Sequence, residues 1–371
     1  MRSLLCLQVG LAGLPFLVGT AGMHGGQQQA LPDSGASVLA SSTDFLPIFS
    51  YDTDVGFGYG IKAFFLNQCA RRESFDVTAF NSTKGERWYR LVFSLPDFEL
   101  RQGSAYPWAV DIVLDYDKYL KNSFFGVGAG SRFEGREYYT REPLDLQAIV
   151  SRGLTEQTVA QASVRWRVIR NFNFTDTSSL RRCAVPSSGR AAAFSVAASL
   201  RHDTRDSYIH PSRGMVLQAE LEHSPQMSGT VSSFWRTGGW AQAYTTLFHP
   251  TTILACRVGI QSLSGPDIPV QFLLPIGGNA TLRGSPQDRF LDRASMLANL
   301  EARFHIWRRF GGVVGWDAGR VWHNLGDAGL NDWRSNPVAG LRFFMDTFIV
   351  RADLGFGSET AGFYLNFGQL F

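Results

Sequence analysis

Apolar and polar positions alternate with a period of two along most of this chain. In residues 294–306, Met296, Ala298, Leu300, Ala302, Phe304 and Ile306 fall on one side, against Asn299, Glu301, Arg303 and His305 on the other. Residues 348–356 repeat the pattern, with Phe348, Val350, Ala352, Leu354 and Phe356 against Ile349, Arg351, Asp353 and Gly355. In 106–117, Tyr106, Trp108, Val110, Ile112, Leu114 and Tyr116 oppose Ala109, Asp111, Val113, Asp115 and Asp117. A strand sends successive side chains to opposite faces, so each segment predicts a strand with one oily and one charged face. Counted along the chain, such segments predict sixteen strands: 44–51, 55–67, 73–82, 86–97, 106–118, 140–153, 157–172, 191–204, 214–224, 232–248, 251–264, 293–306, 311–323, 337–344, 347–356 and 361–371.

A soluble sandwich or small barrel would turn the oily rows inward. A membrane barrel turns them toward lipid and keeps polar rows in its lumen. Three features favour the membrane barrel. The segments run to about 10 residues, the length that crosses a bilayer at a tilt, whereas soluble strands average about 5–6. Aromatic residues (Tyr106, Tyr116, Trp316, Trp322 and Phe371) sit toward the ends of the oily rows, as interfacial girdles require. The inner rows also carry too many charges for a dry core. The predicted fold class is therefore all-β: a transmembrane antiparallel β-barrel of about 16 strands, an even number as in bacterial barrels.

Linker lengths orient it. Residues 153–156, His249-Pro250 and Met345-Asp346 read as short periplasmic turns, while 119–139, 173–190, 265–292 and 324–336 read as external loops. The first two hairpins depart from this trend, with short segments where external loops are expected. The connection 265–292, long and without structure of its own, reads as functional or disordered.

Composition sharpens the class. Lys+Arg 35 against Asp+Glu 32 in 371 residues leaves a net charge of +3, which is no footprint for nucleic acid. Charged residues make up 18%, below the roughly 25% of soluble domains, alongside 38 glycines and 29 phenylalanines. Past the start, no apolar run reaches the length of a membrane helix. At the start, Arg2, the mostly apolar stretch Leu4–Gly19 and Thr20-Ala21-Gly22 read as a signal peptide over 1–23. Residues 24–43, rich in Gln, Ser and Gly, read as a flexible periplasmic linker, and 44–371 as the barrel.

Candidate chemistry is sparse. Cys69, Cys183 and Cys256 form no CxxC and no Cys/His group with metal spacing, so neither a metal nor a cofactor is expected. His202-Asp203 are strand neighbours that point to opposite faces, and the remaining histidines are scattered without HExxH spacing. No GxSxG elbow or phosphate-binding loop occurs. The chain is read as a non-enzyme.

The long connection ends in Gly277-Gly278-Asn279-Ala280-Thr281-Leu282-Arg283-Gly284, and a strand further on carries Trp316-Asp317-Ala318-Gly319. Here the chain resembles the BamA/TamA-like outer-membrane assembly factors, the bacterial surface antigen family. In that family a (Val/Ile/Leu)-Arg-Gly-(Phe/Tyr) loop folds into the barrel, and its arginine meets the acid of an aromatic-x-Asp-x-Gly strand motif. Leu282, Arg283 and Gly284 match the loop, with Ser285 in place of the aromatic; Asp317 and Gly319 match the strand. The residues support this independently. Asp317 shares a row with Gly315, Gly319 and His323, opposite Trp316 and Trp322, so it should face the lumen beside glycines that admit a second backbone. An arginine there would make a bidentate contact. Glu301, Arg351 and Asp353 also face inward and would extend the network; the plainer reading is that all are solvated lumen charges.

Further segments resemble the family. They are Arg201–Asp206 with Pro211 and Gly214, a strand–turn–strand signature, and Phe124-Phe125-Gly126-Val127-Gly128. At the C-terminus, Phe363, Leu365, Phe367 and Phe371 share one face, with Gly368 among them, like the terminal recognition signal of outer-membrane barrels. The resemblance implies an outer-membrane location, contact with outer-membrane lipid, and insertion or movement of polypeptides across that membrane. Family members carry periplasmic POTRA domains, for which 24–43 is too short. A separate periplasmic partner or client polypeptides are therefore expected as partners. The alternative is a passive channel or structural barrel. Gly56, Gly58 and Gly60 are expected to weaken a seam between the first and last strands.

Overall fold

The computed structural model describes residues 40–371 apart from 176, 183–188, 228, 230–232, 248–250 and 347. The expected leader, most of the expected linker, Cys183 and the turn at His249-Pro250 lie outside the described residues. The strands are β1 (Ser42–Asp52), β2 (Gly56–Leu66), β3 (Ser74–Ser82), β4 (Arg87–Leu95), β5 (Tyr106–Phe124), β6 (Glu137–Gly153), β7 (Thr158–Phe172), β8 (Arg190–Asp203) and β9 (Gly214–Ser224). They continue as β10 (Phe234–Thr246), β11 (Thr252–Ser264), β12 (Leu274–Ile276), β13 (Phe290–Asp292), β14 (Ala294–Trp307), β15 (Phe310–Trp322), β16 (Arg334–Phe344), β17 (Ile349–Phe356) and β18 (Ala361–Phe367). Sixteen of them close an antiparallel barrel in chain order, and β12 and β13 pair separately within the long connection between β11 and β14.

The alternation explains this closure. Outer-row Leu300, Val314, Trp316 and Leu354 are exposed, while inner-row Glu301, Asp317 and Asp353 are wholly buried. Among the described residues no helix is long and apolar enough to cross a membrane. Long loops gather at one end, the external one, and tight turns such as 308–309 at the other.

Three differences from the sequence reading have local causes. β5 and β6 run on to Phe124 and back from Glu137, so the external loop there is 125–136. A register shift between Tyr106 and Ala109 turns Tyr106 from the oily row to the lumen side, where its hydroxyl meets Ser151 Oγ at 3.2 Å. The apolar row of β5 starts instead at Trp108, 62% exposed. Tyr116 keeps its outward place, stacked on Tyr89, but Trp316 lies at mid-strand and Trp322 is buried against Trp333.

The lumen also packs more apolar surface than its charges implied. Toward the external end, inner-row Ile169, Ala191, Ala193, Phe234 and Leu263 form one buried cluster with Ile268, Val270, Phe272, Leu273 and Leu274 of the long connection. The connection supplies the apolar partners that the strands lack among themselves.

Candidate functional site

The long connection descends through β12, turns within the lumen over residues 277–289, and returns through β13. Gly277 (φ +133°) and Gly278 (φ +82°) make the tight entry, a backbone region that favours glycine. Thr281 Oγ1 accepts from Gly277 N–H and donates to Gly277 O, and Gly278 N–H donates to Ser285 O. This self-bonded tip presents Arg283 to the wall.

Arg283 is fully buried. Its Nε and Nη2 donate to Asp317 Oδ2 and Oδ1, both at 2.8 Å, giving the planar bidentate contact that a guanidinium makes with a carboxylate. Nη1 donates to Glu301 Oε1 and Asp353 Oδ2, each at 2.8 Å, and its backbone N–H also reaches Asp317. The three carboxylates come from β14, β15 and β17, so one side chain ties the loop to a quarter of the wall. Leu282 is buried with Ile276, Phe290 and Val321. Gly284 (φ +90°) passes so close to β17 that a Cβ would lie 2.6 Å from Gly355 C. Gly319 likewise leaves room for Ile276. Ser285 is small enough for Asn336 Nδ2 to reach both its Oγ and Arg283 O.

Arg351 contacts the loop through Asn279 Oδ1 at 2.9 Å and lies 3.6 Å from Asp353. Every network residue read from the sequence therefore converges on this tip, and all are desolvated rather than solvated lumen charges. His323, placed on the Asp317 row, lies past the end of β15 and sits near Asp292 instead.

Several members escaped the sequence reading. Asn299 Nδ2 bridges Asp317 Oδ1 and Thr281 O, and Arg257 donates to Asn299 Oδ1 and Ala280 O. Tyr364 OH accepts from Gly284 N–H, and Thr360 Oγ1 donates to Gly284 O. Arg303 pairs with Glu301, and Arg342 with Asp353. Higher up, Arg289 grips Glu359 through two hydrogen bonds, and Gly128 N–H of the Phe124–Gly128 segment donates to Leu291 O. All of the strand residues among these occupy inner-row positions, and that parity was the signal available.

Phe363 and Leu365 lie on the outward row of β18, but Phe367 packs against the buried Ile48 and Phe80, and Phe371 does not continue the row. Gly368 (φ +78°) turns the chain, and Phe371 and Leu370 are buried with Tyr244 and Ala255 on the inner wall. Arg303 Nη2 donates to Phe371 O and Arg342 Nε to Gln369 Oε1. In the periplasmic turn 204–213, His210 meets this segment, 3.4 Å from Gln369 Nε2 and edge-on to Phe344. Burial first, with Arg303 and Arg342 adding, pushes the His210 imidazole down to about 4.

The seam is short. β1 and β18 share only the pairs Tyr51↔Leu365 and Asp52↔Tyr364, beside bonds from Thr53 to Phe363, whereas β1 and β2 pair over their full eleven residues. The expected cause is wrong: Gly56, Gly58 and Gly60 lie on β2, away from the seam, where Gly58 admits the Phe80 ring. The pairing instead stops at Leu365, and the chain turns inward at Gly368, three residues on.

Comparison with solved structures finds the same fold in BamA from Haemophilus ducreyi lacking POTRA domains 1–3, with a TM-score of 0.64, 13% identity, and coverage of 88% of this chain and 70% of that one. CdiB from Escherichia coli (TM-score 0.62, 14% identity, 88% and 62%) and CdiB from Acinetobacter baumannii (0.56, 14%, 90% and 66%) are also similar. The chain thus spans just under two thirds of each CdiB. No curated protein sequence matches it. The Omp85 superfamily domain model matches residues 71–371, so this outer-membrane barrel belongs to the Omp85 superfamily.

Proposed function

We propose that this barrel inserts polypeptides into the outer membrane or moves them across it. The observation that carries the reading is the seam. Each neighbouring strand pair elsewhere in the wall shares seven or more residue pairs, against two between β1 and β18. Unpaired edge groups are a template for an incoming strand. A segment of a client would add to β1 below Ser50, where its pairing with β18 has stopped. The Arg283 side chain would hold β14, β15 and β17 together, and Gly284 would hold β18 through Tyr364, while β1 moves as the seam opens. The filled lumen argues against a passive channel. Client polypeptides, alone or delivered by a separate periplasmic partner, would meet the barrel at its periplasmic mouth. The segment before residue 40 is read as leader and linker.

The test locks the seam. Tyr51→Cys with Leu365→Cys places two thiols at directly opposite positions. In vesicles holding the oxidised barrel, folding of an added unfolded porin should fall to the rate in empty vesicles, and reduction should restore it. Equal rates for oxidised and reduced barrels would overturn the reading, as would a reduced barrel no faster than empty vesicles.

A further inference from the structure

The outer surface of β4 to β8 carries a row of charge that the lumen chemistry does not use. Arg87 of β4 stands directly opposite Lys118 of β5, and Glu142 of β6 opposite Arg170 of β7, which in turn stands opposite Arg190 of β8. The pairs Tyr116↔Leu144 and Tyr119↔Arg141 put Lys118 beside Glu142. All five share the outward row with Tyr89, Leu114, Leu146, Trp166 and Val196, which are exposed or stacked on the outer surface.

Glu142 neutralises only part of the row. It accepts from Arg170 Nη2, lies 3.5 Å from Lys118 Nζ, and takes the Tyr116 hydroxyl at 2.7 Å. Among the described residues no carboxylate pairs with Arg87 or Arg190, both exposed. Four cations therefore face one anion. Like charges directly opposite across a ladder destabilise it, and the outward row of this sector holds two such pairs, Arg87/Lys118 and Arg170/Arg190. An anion seated on each would remove that conflict.

Position identifies the anion's source. Arg87 and Arg190 open their strands at the external end, and Arg170 lies two residues from the external end of β7. The stacked Tyr89–Tyr116 pair and Trp166 lie just below, as an aromatic girdle does at headgroup level. Cations on a lipid-facing surface are tolerated near the interface and are costly at the midplane. Elsewhere on the external rim the outward positions hold Tyr51, Phe57, Trp235 and Phe363, and the outward Arg320 of β15 is paired with Asp332, so among the described strand residues the external-end cations without a carboxylate lie in this sector.

We propose that this sector binds a phosphorylated lipid of the external leaflet, its phosphates on the two cation pairs and its acyl chains against Leu91, Leu114, Leu146 and Val164. With strands about 4.8 Å apart, the midpoints of the two pairs are separated by three spacings, about 14 Å. That span suits a headgroup carrying two phosphates, one bound by each pair.

The full chain is reconstituted in phosphatidylcholine vesicles containing bis-phosphorylated lipid A, re-extracted in detergent and weighed by native mass spectrometry. Wild type should retain lipid A and not its dephosphorylated form. Arg87→Gln/Arg170→Gln/Arg190→Gln should retain it at least about tenfold less, as loss of charge-assisted phosphate contacts implies. Arg152→Gln, an exposed cation at the periplasmic end of β6, should retain it fully. If the triple variant does not show the heat-modifiable migration of a folded barrel, Arg190→Gln alone carries the test, with a loss of about threefold. Undiminished retention in the charge variants, equal loss in Arg152→Gln, or equal binding of dephosphorylated lipid A would overturn the proposal. Displacement of the lipid by excess inorganic phosphate would assign the row to a soluble anion and overturn it too.

Discussion

Replacing Arg283 by alanine deletes four guanidinium hydrogen bonds and leaves three carboxylates in a space with no exposure to solvent. The loss is not the sum of four bonds, because the partners are unequally rescued. Glu301 keeps Arg303 at 2.8 Å, and Asp353 keeps Arg342. Asp317 keeps only Asn299 Nδ2 at 2.7 Å and the backbone N–H of residue 283 at 3.1 Å. The penalty therefore centres on Asp317, and removing one partner of a buried pair costs about 3–5 kcal/mol. None of it touches a barrel ladder. The loop tip should loosen while the barrel stays closed, with amides such as Gly278 and Ser285 exchanging about two to three orders of magnitude faster. Hydrogen exchange in vesicles, read beside heat-modifiable migration, checks both parts. Arg283→Ala/Asp317→Ala should lose about 2 kcal/mol less than the sum of its single variants. Unchanged protection of 277–289 in Arg283→Ala, or strict additivity in the double variant, would refute the reasoning.

Three further predictions follow from local geometry. Gly284→Ala adds a Cβ 2.6 Å from Gly355 C at φ +90°, and should loosen the same amides at a cost of about 1–3 kcal/mol, measured by the same exchange. For His210, a folded value of about 4 lies below the ordinary 6.5, so the unfolded turn binds the proton more readily. Docking of 204–213 on Phe344 and Gln369 should therefore be complete above pH 6.5 and weaken as pH falls toward 4, by on the order of 3 kcal/mol. His210→Phe should flatten that dependence in exchange measured across this range. Finally, β1 amides below Ser50 that point toward β18 should exchange faster than those paired with β2, and equal rates would speak against an open seam.

Alternation made the wall legible because a strand's two faces meet different solvents, and Leu300 beside Glu301 reports this without any knowledge of the fold. The Arg283–Asp317 contact was legible because motif and parity agreed. What period two cannot carry is where it fails: the shift at Tyr106–Ala109, and the turn at Gly368 that takes Phe371 off the outer row. Nor does it register what a long loop brings with it. Residues 268–274 supply an apolar core to a lumen whose strands read as charged, and Asn299, Asn336 and Tyr364 became clamps only once the tip lay against them. The seam was anticipated for the wrong reason, since glycine content says nothing about how many residues two distant strands share.

The Arg283 lock, the seam and the external charge row all depend on apolar rows that face lipid and polar rows that face the lumen. Single cysteines placed along β14 from Met296 to Phe304, labelled with an environment-sensitive fluorophore in vesicles of brominated lipid, measure this directly. Positions 296, 298, 300, 302 and 304 should be quenched and the alternate positions spared; uniform quenching, or quenching at Asn299, Glu301 and Arg303, would contradict the account.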